Sequence, residues 1–349
     1  MKRFLSICII WQLAMFSALV HGAEQFKRID QWSHDETFGY DFYSFIDSDN
    51  HVVGGFYMIG CRIVTPEKII KFAPRGQGPG DLMTFSAAFP YKGDIIVFEL
   101  PGKAKVFTKK NGTYVWKETK WFKRGIYPHM IKEGIFFDNK FFLTGYEPLE
   151  QTKNEEKVSY LKVYDDNGQP LKQLIRKTYT APHRFNEIKY HIIGYKTDRV
   201  IFLPANKLKV TIVSAKKLEI IKEVDLEIPG FYKKMPEDFY IFKRYDNPKD
   251  NFRLDIETWA TGYSSITEAA VDGNYLVVQV RTCSEKEKKF ALLFYNAENN
   301  FKLEKTVFTD DFLLDIKDGK YYCFANGNPG RDDDTDNCII NIYAWEKAK

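Results

Sequence analysis

The side chains with the widest chemical reach in this 349-residue chain are three histidines, a scatter of arginines and one run of carboxylates. His129, His183 and His191 each carry an imidazole able to act as a general base or metal ligand near neutral pH. No second residue stands at a spacing that fixes a catalytic pair with any of them, so a hydrogen-bonded structural role is the competing reading. Arg184, beside His183, and Arg75 have the guanidinium geometry that holds an anionic group, although ordinary ion pairing uses the same chemistry. Asp332, Asp334 and Asp336 offer carboxylates at alternating positions, the oxygen-rich chemistry that calcium prefers. The run lacks the glycine and terminal glutamate of an EF-hand loop, which leaves a solvated acidic loop as the alternative. The chain has no HExxH, no nucleophile elbow and no zinc-finger spacing.

The elements that must position these residues repeat. A short apolar run entered through a polar or glycine turn begins at Val52, Ile95, Phe141, Val200, Leu276 and Tyr321. The shorter intervals fall within the roughly 40 to 50 residues of a propeller blade. Turns such as Lys92-Gly93-Asp94 and Asp138-Asn139 have the residue types that close tight hairpins. Each run is flanked by further strand candidates, so the module is an antiparallel four-stranded meander. The sixth module, from Phe312 to Trp345, ends one strand short, whereas Gln25 to Trp32 is a strand candidate with nothing before it. A circular array solves both problems, because the N-terminal strand can complete the last blade. The expected fold is therefore all-β, a six-bladed β-propeller of four-stranded blades; a β-sandwich or two tandem β domains is the alternative.

Lys2 and Arg3, the apolar run from Phe4 to Val20 and the small residues Gly22 and Ala23 read as a secretory signal peptide. Cleavage is expected after residue 22 or 23, leaving 24–349 as one propeller domain in the periplasm or outside the cell. Its removal takes away two cations and no acid from a formal charge of +4. Lysines mixed among acids argue against nucleic acid, and no second long apolar run argues for membrane insertion of the mature chain. Aromatic residues at 16% suit half-buried pleated surfaces.

Arg75-Gly76-Gln77-Gly78-Pro79-Gly80-Asp81 is the most distinctive segment. It resembles the Gly-Gln-Gly-Pro-Gly-acid segment of exported bacterial six-bladed β-propellers, a group similar to TolB-like and NHL-repeat propellers. Gly93-Asp94-Ile95-Ile96-Val97-Phe98-Glu99, Lys103-Ala104-Lys105-Val106-Phe107 and Asn111-Gly112 continue that resemblance, which implies a fold rather than a reaction. Physically, the glycines permit unusual dihedrals while Pro79 stiffens the path. The segment is neither a phosphate loop nor a dinucleotide fingerprint. It reads as a structural crossing between blades, with backbone contact to a ligand, Gln77 included, as the alternative.

In such a meander the first-to-second and third-to-fourth strand turns share one end of the ring. The other end gathers the long segments: Phe56 to Pro66, Arg75 to Met83, Pro148 to Glu156, Lys177 to Glu187, Glu227 to Gly262 and Asn326 to Asn337. Long loops on a rigid scaffold are the usual place for binding groups. The largest carries Arg244 and Trp259 and reads as a lid or partner-docking element. The leading expectation is a monomeric binding module, without catalytic residues, that holds a peptide, glycan or protein at this end. It needs no cofactor unless calcium sits on the Asp332 run. The alternative is a metal-dependent propeller hydrolase or lactonase of the calcium type. In an oxidising compartment Cys323 and Cys338, at the two ends of one long loop, are expected to face each other and form a disulfide, with Cys61 and Cys283 left as thiols.

Overall fold

The computed structural model describes residues 24–36, 43–56, 60–84, 86–99, 102–123, 130–148, 157–179, 190–205, 207–234, 262–283, 288–325 and 337–347. The first strand, β1 (Glu24–His34), starts no blade of its own. Blade 1 consists of β2 (Tyr43–Ile46), β3 (Val52–Phe56), β4 (Gly60–Val64) and β5 (Ile69–Pro74). Blade 2 follows with β6 (Ala87–Tyr91), β7 (Asp94–Glu99), β8 (Lys103–Lys110) and β9 (Thr113–Trp121). Blade 3 holds β10 (Met130–Phe137), β11 (Lys140–Pro148), β12 (Lys157–Asp165) and β13 (Pro170–Tyr179). Blade 4 holds β14 (Tyr190–Tyr195), β15 (Arg199–Pro204), β16 (Lys209–Ser214) and β17 (Glu219–Asp225). Blade 5 holds β18 (Ile266–Asp272), β19 (Tyr275–Arg281), β20 (Phe290–Asn296) and β21 (Lys302–Thr309). Blade 6 has β22 (Phe312–Lys317), β23 (Lys320–Phe324) and β24 (Cys338–Lys347) from the end of the chain, with β1 as its fourth strand. The protein is thus a six-bladed, all-antiparallel β-propeller.

Its innermost strands touch in a closed circuit, β2 to β6, β10, β14, β18, β22 and back to β2. The hydrophobic core is correspondingly divided into six layers, one in each seam between blades. Middle strands therefore bury both faces, and Ile95-Ile96-Val97-Phe98 or Leu292-Leu293-Phe294-Tyr295 is apolar without alternation. Outer strands, covered on one side at most, are more exposed, as in β17, where Glu219 to Glu223 are all exposed, Ile220 and Ile221 included. The hairpins close as their residues require: Lys92-Gly93, Asn111-Gly112, Asp138-Asn139 and Asp318-Gly319 all take positive φ at both loop positions, the geometry that matches strand twist. Among the described residues no helix is long and apolar enough to cross a membrane.

Two of the expected long segments are shorter than the sequence suggested. Phe56 to Pro66 contains β4, whose five residues are all buried, and β13 runs on to Tyr179. At the start of β4, Gly60 sits at φ +95, where an added Cβ would lie 2.3 Å from the Ala73 carbonyl oxygen. It opens the strand rather than ending one.

Closure is made by β1. It pairs with β24 from Glu24↔Lys347 to His34↔Cys338. Phe26 packs edge-on against Tyr321 and stacks on Tyr343, with centroids 5.0 and 5.1 Å apart, in the seam with blade 5. Trp32, 6% exposed, lies with Val52 and Val64 in the seam with blade 1. One strand thus fills both seams of the last blade. Trp32→Ala is expected to cost about 3 kcal/mol by emptying one of them. Removing Glu24–His34 is expected to uncover the β24 edge and cause aggregation. Thermal melts and light scattering check both, and an unchanged melting temperature in the deletion would contradict closure by this strand.

Candidate functional site

Four ionisable side chains from four successive innermost strands meet at the inner wall of the ring. Three follow a register irregularity: the pairing shifts between Ile131 and Glu133 on β10, between Ile266 and Glu268 on β18, and between Leu313 and Asp315 on β22. An extra residue in one strand bends it and re-aims the side chain that follows. Glu133 Oε1 accepts the Ile192 N–H of the next blade at 2.8 Å. Asp315 Oδ2 accepts the Ile46 N–H of blade 1 at 2.8 Å, while its Oδ1 takes the Ile316 N–H at 2.7 Å. Between the two glutamates stands His191 of β14, fully buried, with Nδ1 3.2 Å from Glu268 Oε1 and 3.8 Å from Glu133 Oε2.

This arrangement has two chemical capacities. Glu133 and Glu268, about one-fifth exposed, present negative charge toward the axis and orient the imidazole between them. Asp315 holds a proton: burial pushes its carboxyl up to about 7, and the charge of Glu268 adds to that, against the two N–H donors and Lys317. Among the described residues no group of three or more His, Cys, Asp or Glu has the geometry to hold a metal ion.

The Gly76–Asp81 segment is the link from β5 to β6, and its residue types serve that crossing. The Asp81 carboxylate turns back into the link and accepts the Gly78 N–H at 2.9 Å. A Cβ at Gly76 would lie 2.3 Å from Asp81 Oδ2 and one at Gly78 2.8 Å from it, so both positions need glycine to admit that carboxylate. Buried Lys105 of β8 donates to the Asp81 carbonyl and pairs with buried Glu99, 3.6 Å away. Glu99 in turn accepts the Met83 N–H at 2.7 Å. The end of the link is thereby fastened to blade 2 by a charged anchor drawn from β7 and β8.

The two expected ligand residues on this link, Arg75 and Gln77, are exposed, and Arg75 forms an isolated bridge with Leu82. They stand in the blade 1–blade 2 crossing, whereas the ionisable quartet is built by blades 3 to 6. His129, His183, Arg184, Arg244, Trp259, Asp332, Asp334 and Asp336 lie outside the described residues. The expected disulfide is corrected: Cys323 and Cys338 are free thiols. Cys323 pairs with Asn341, an odd number of residues from Cys338. The two thiols therefore project from opposite faces of the sheet, Cys323 toward blade 5 and Cys338 toward blade 1. Burial pushes the Cys338 thiol up to about 12 and raises Cys61 and Cys323 further, the environment of inert structural cysteines. Sequence reasoning singled out His191 but missed Glu133, Glu268 and Asp315. The signal was an acid inside an apolar inner strand, as in Ile131-Lys132-Glu133-Gly134-Ile135 and Leu313-Leu314-Asp315-Ile316.

No known family profile matches the chain, and no curated protein is similar to it in sequence. Solved structures share its fold. A member of the DUF4221 family from Bacteroides vulgatus superposes with a TM-score of 0.58 at 11% identity, over 94% of this chain and 100% of that one. A putative exported protein from Bacteroides fragilis gives 0.55 at 11%, over 93% and 95%. A luciferin-regenerating enzyme gives 0.51 at 10%, over 92% and 95%. At such identities the likeness is one of fold.

Two measurements test these assignments. Gly76→Ala is expected to destabilise by roughly 1–3 kcal/mol through the clash with Asp81, whereas Gln77→Ala, on an exposed side chain, should stay within about 0.5 kcal/mol. For Asp315 the folded carboxyl titrates near 7, above its unfolded value of 3.8. Well below 3.8 both states hold the proton and its stabilisation is fully present; stability falls as pH rises through 3.8 and on to 7. Asp315→Asn is therefore expected to gain in melting temperature relative to the parent between pH 4 and 7 and to keep a constant difference above.

Proposed function

We propose that this protein is an exported binding module that takes a peptide, glycan or protein at the loop-rich end of its ring. The observation that carries the reading is that the opposite end is occupied in holding the blades together. There Asp47 receives Lys109 at 2.7 Å and the Tyr114 hydroxyl at 3.0 Å across the blade 1–blade 2 seam. Asp166 of blade 3 receives the Tyr91 hydroxyl at 2.5 Å and Lys92 at 2.6 Å from blade 2. Glu298 of blade 5 receives the Tyr195 hydroxyl at 3.0 Å and the Lys196 ammonium from blade 4. These turns are short and engaged, whereas the connections at the other end are longer and lead to the acidic inner wall at Glu133 and Glu268. Export is supported by the leader-like residues 1–23 and is in keeping with the putative exported protein that shares the fold.

One observation favours a second reading, a metal-dependent hydrolase or lactonase: an enzyme shares the fold. Elemental analysis of the purified protein, with peptide and glycan arrays beside it, separates the two. Under the binding reading, Arg75→Ala, Arg184→Ala and Arg244→Ala lower array signals while Asn111→Ala and Asn167→Ala, on the tight turns, leave them unchanged. A stoichiometric divalent ion with ester hydrolysis lost in His191→Ala is the result that overturns it.

A further inference from the structure

The exposed tryptophans of the described structure gather at one place away from the channel. Trp121 is 66% and Trp116 42% exposed, both on β9, and Met83, 59% exposed, lies at the end of the Gly76–Asp81 link. The register of blade 2 puts the indoles on one face of the sheet. Trp116 pairs with Phe107, Thr119 with Lys105 and Trp121 with Lys103, and Lys103, Lys105 and Phe107 alternate along β8. That face is the one turned toward blade 1, because Phe107 lies in the blade 1–blade 2 seam and Lys105 reaches the link. Blade 1 covers only part of it. The link runs over the lower portion, its Gly80 so close that an added Cβ would be 3.2 Å from Trp116 Cβ. Trp121 and Lys103 extend beyond.

The result is a shelf on which Trp116 and Trp121, five residues apart across a bulge, pair with β8 residues four apart, a backbone separation of about 13 Å along the sheet. Around them, beside the exposed Met83, stand hydrogen-bonding groups: Thr119 on the same face and the Lys103 ammonium, 3.2 Å from Glu99, with exposed Gln77 on the link. A hydrophobic helix or sheet would need a continuous apolar strip, and this surface does not supply one. Its alternation of flat apolar rings and polar donors matches a sugar chain, whose pyranose rings have an apolar C–H face and a rim of hydroxyls. Indole has the same division, with an apolar body that tolerates a polar partner.

From this we infer that the blade 1–blade 2 shelf is a glycan-binding site, with Trp116 and Trp121 as stacking platforms for separate sugar rings of one extended oligosaccharide. The site is independent of the channel mouth. The spacing makes a length requirement: a monosaccharide reaches one indole, an oligosaccharide both.

The test is a titration of the full-length mature protein with cello-, chito-, xylo- and malto-oligosaccharides, from monosaccharide to hexasaccharide, followed by tryptophan fluorescence and calorimetry. At least one series is expected to bind with affinity rising about tenfold or more once the chain spans both rings. Trp121→Ala and Trp116→Ala should each lower the hexasaccharide affinity about tenfold and remove the length dependence. Trp121→Phe should retain part of it, and Ile221→Ala, an exposed apolar residue on blade 4, should change nothing. Because Trp121 is mostly exposed, its variant stays folded even where Trp116→Ala is destabilised. The inference is overturned if no series binds, if binding survives both alanine variants, or if sedimentation shows the indoles buried in a dimer that Trp121→Ala dissociates.

Discussion

Everything in this ring depends on the antiparallel pairing of β1 with β24. A propeller blade cannot bury two faces unless it has a neighbour on each side, so six apolar seams exist only if the circuit closes. The constraint is visible in burial: among the described residues the middle strands are buried on both faces, a pattern that would leave two blades with a bare side in an open array. Closure by a strand from the opposite terminus makes the contacts between the ends of the chain the longest-range in the fold. Phe26 and Trp32 concentrate that role, since each fills a different seam of blade 6 from the same strand.

The link between blades 1 and 2 shows how a distinctive sequence can be about architecture. Three glycines, a proline and an aspartate look like a ligand loop. In the structure Asp81 folds inward onto Gly78, and the space it occupies is the space side chains at 76 and 78 would need. Lys105, nearly inaccessible, is paired there with Glu99 and donates to carbonyl oxygens of the link; burial lowers its pKa, and the charge of Glu99 works against that. Breaking such a pair leaves a buried ion uncompensated, which is far more costly than never forming it. The segment's conspicuous composition therefore reports the tightness of a crossing.

How much of this was legible in the sequence follows from the range of each signal. Strand runs, tight turns and the strand deficit of the sixth module are local or countable, and the ring followed from them. Strand β4 went unread inside Phe56 to Pro66, because a glycine at a strand's first residue, as Gly60 is, and a glycine in a loop look alike until the partner carbonyl of Ala73 is in place. The Cys323–Cys338 pairing failed for a related reason: proximity along a loop says nothing about parity, and an odd offset in register sends two side chains to opposite faces. The inner-wall acids went unseen because each is a single charge in a strand, and only the circular arrangement brings the three, from three blades, together around His191.

Those acids bear on how a ring of near-identical modules acquires a direction. An apolar residue at the Glu133 or Asp315 position would leave the N–H of Ile192 or Ile46 facing the axis without its carboxylate partner. Each carboxylate therefore fastens its strand to the next blade in the same sense around the ring, a polar seam inside the apolar one. Burial makes such a fastener expensive when ionised, and Asp315 answers by holding its proton to near pH 7. Glu133 and Glu268 remain partly open to the axis. The same side chains that align the blades thus give the channel its charge, so the polarity of the inner wall is a consequence of how the inner strands are joined before it is a property available to any ligand.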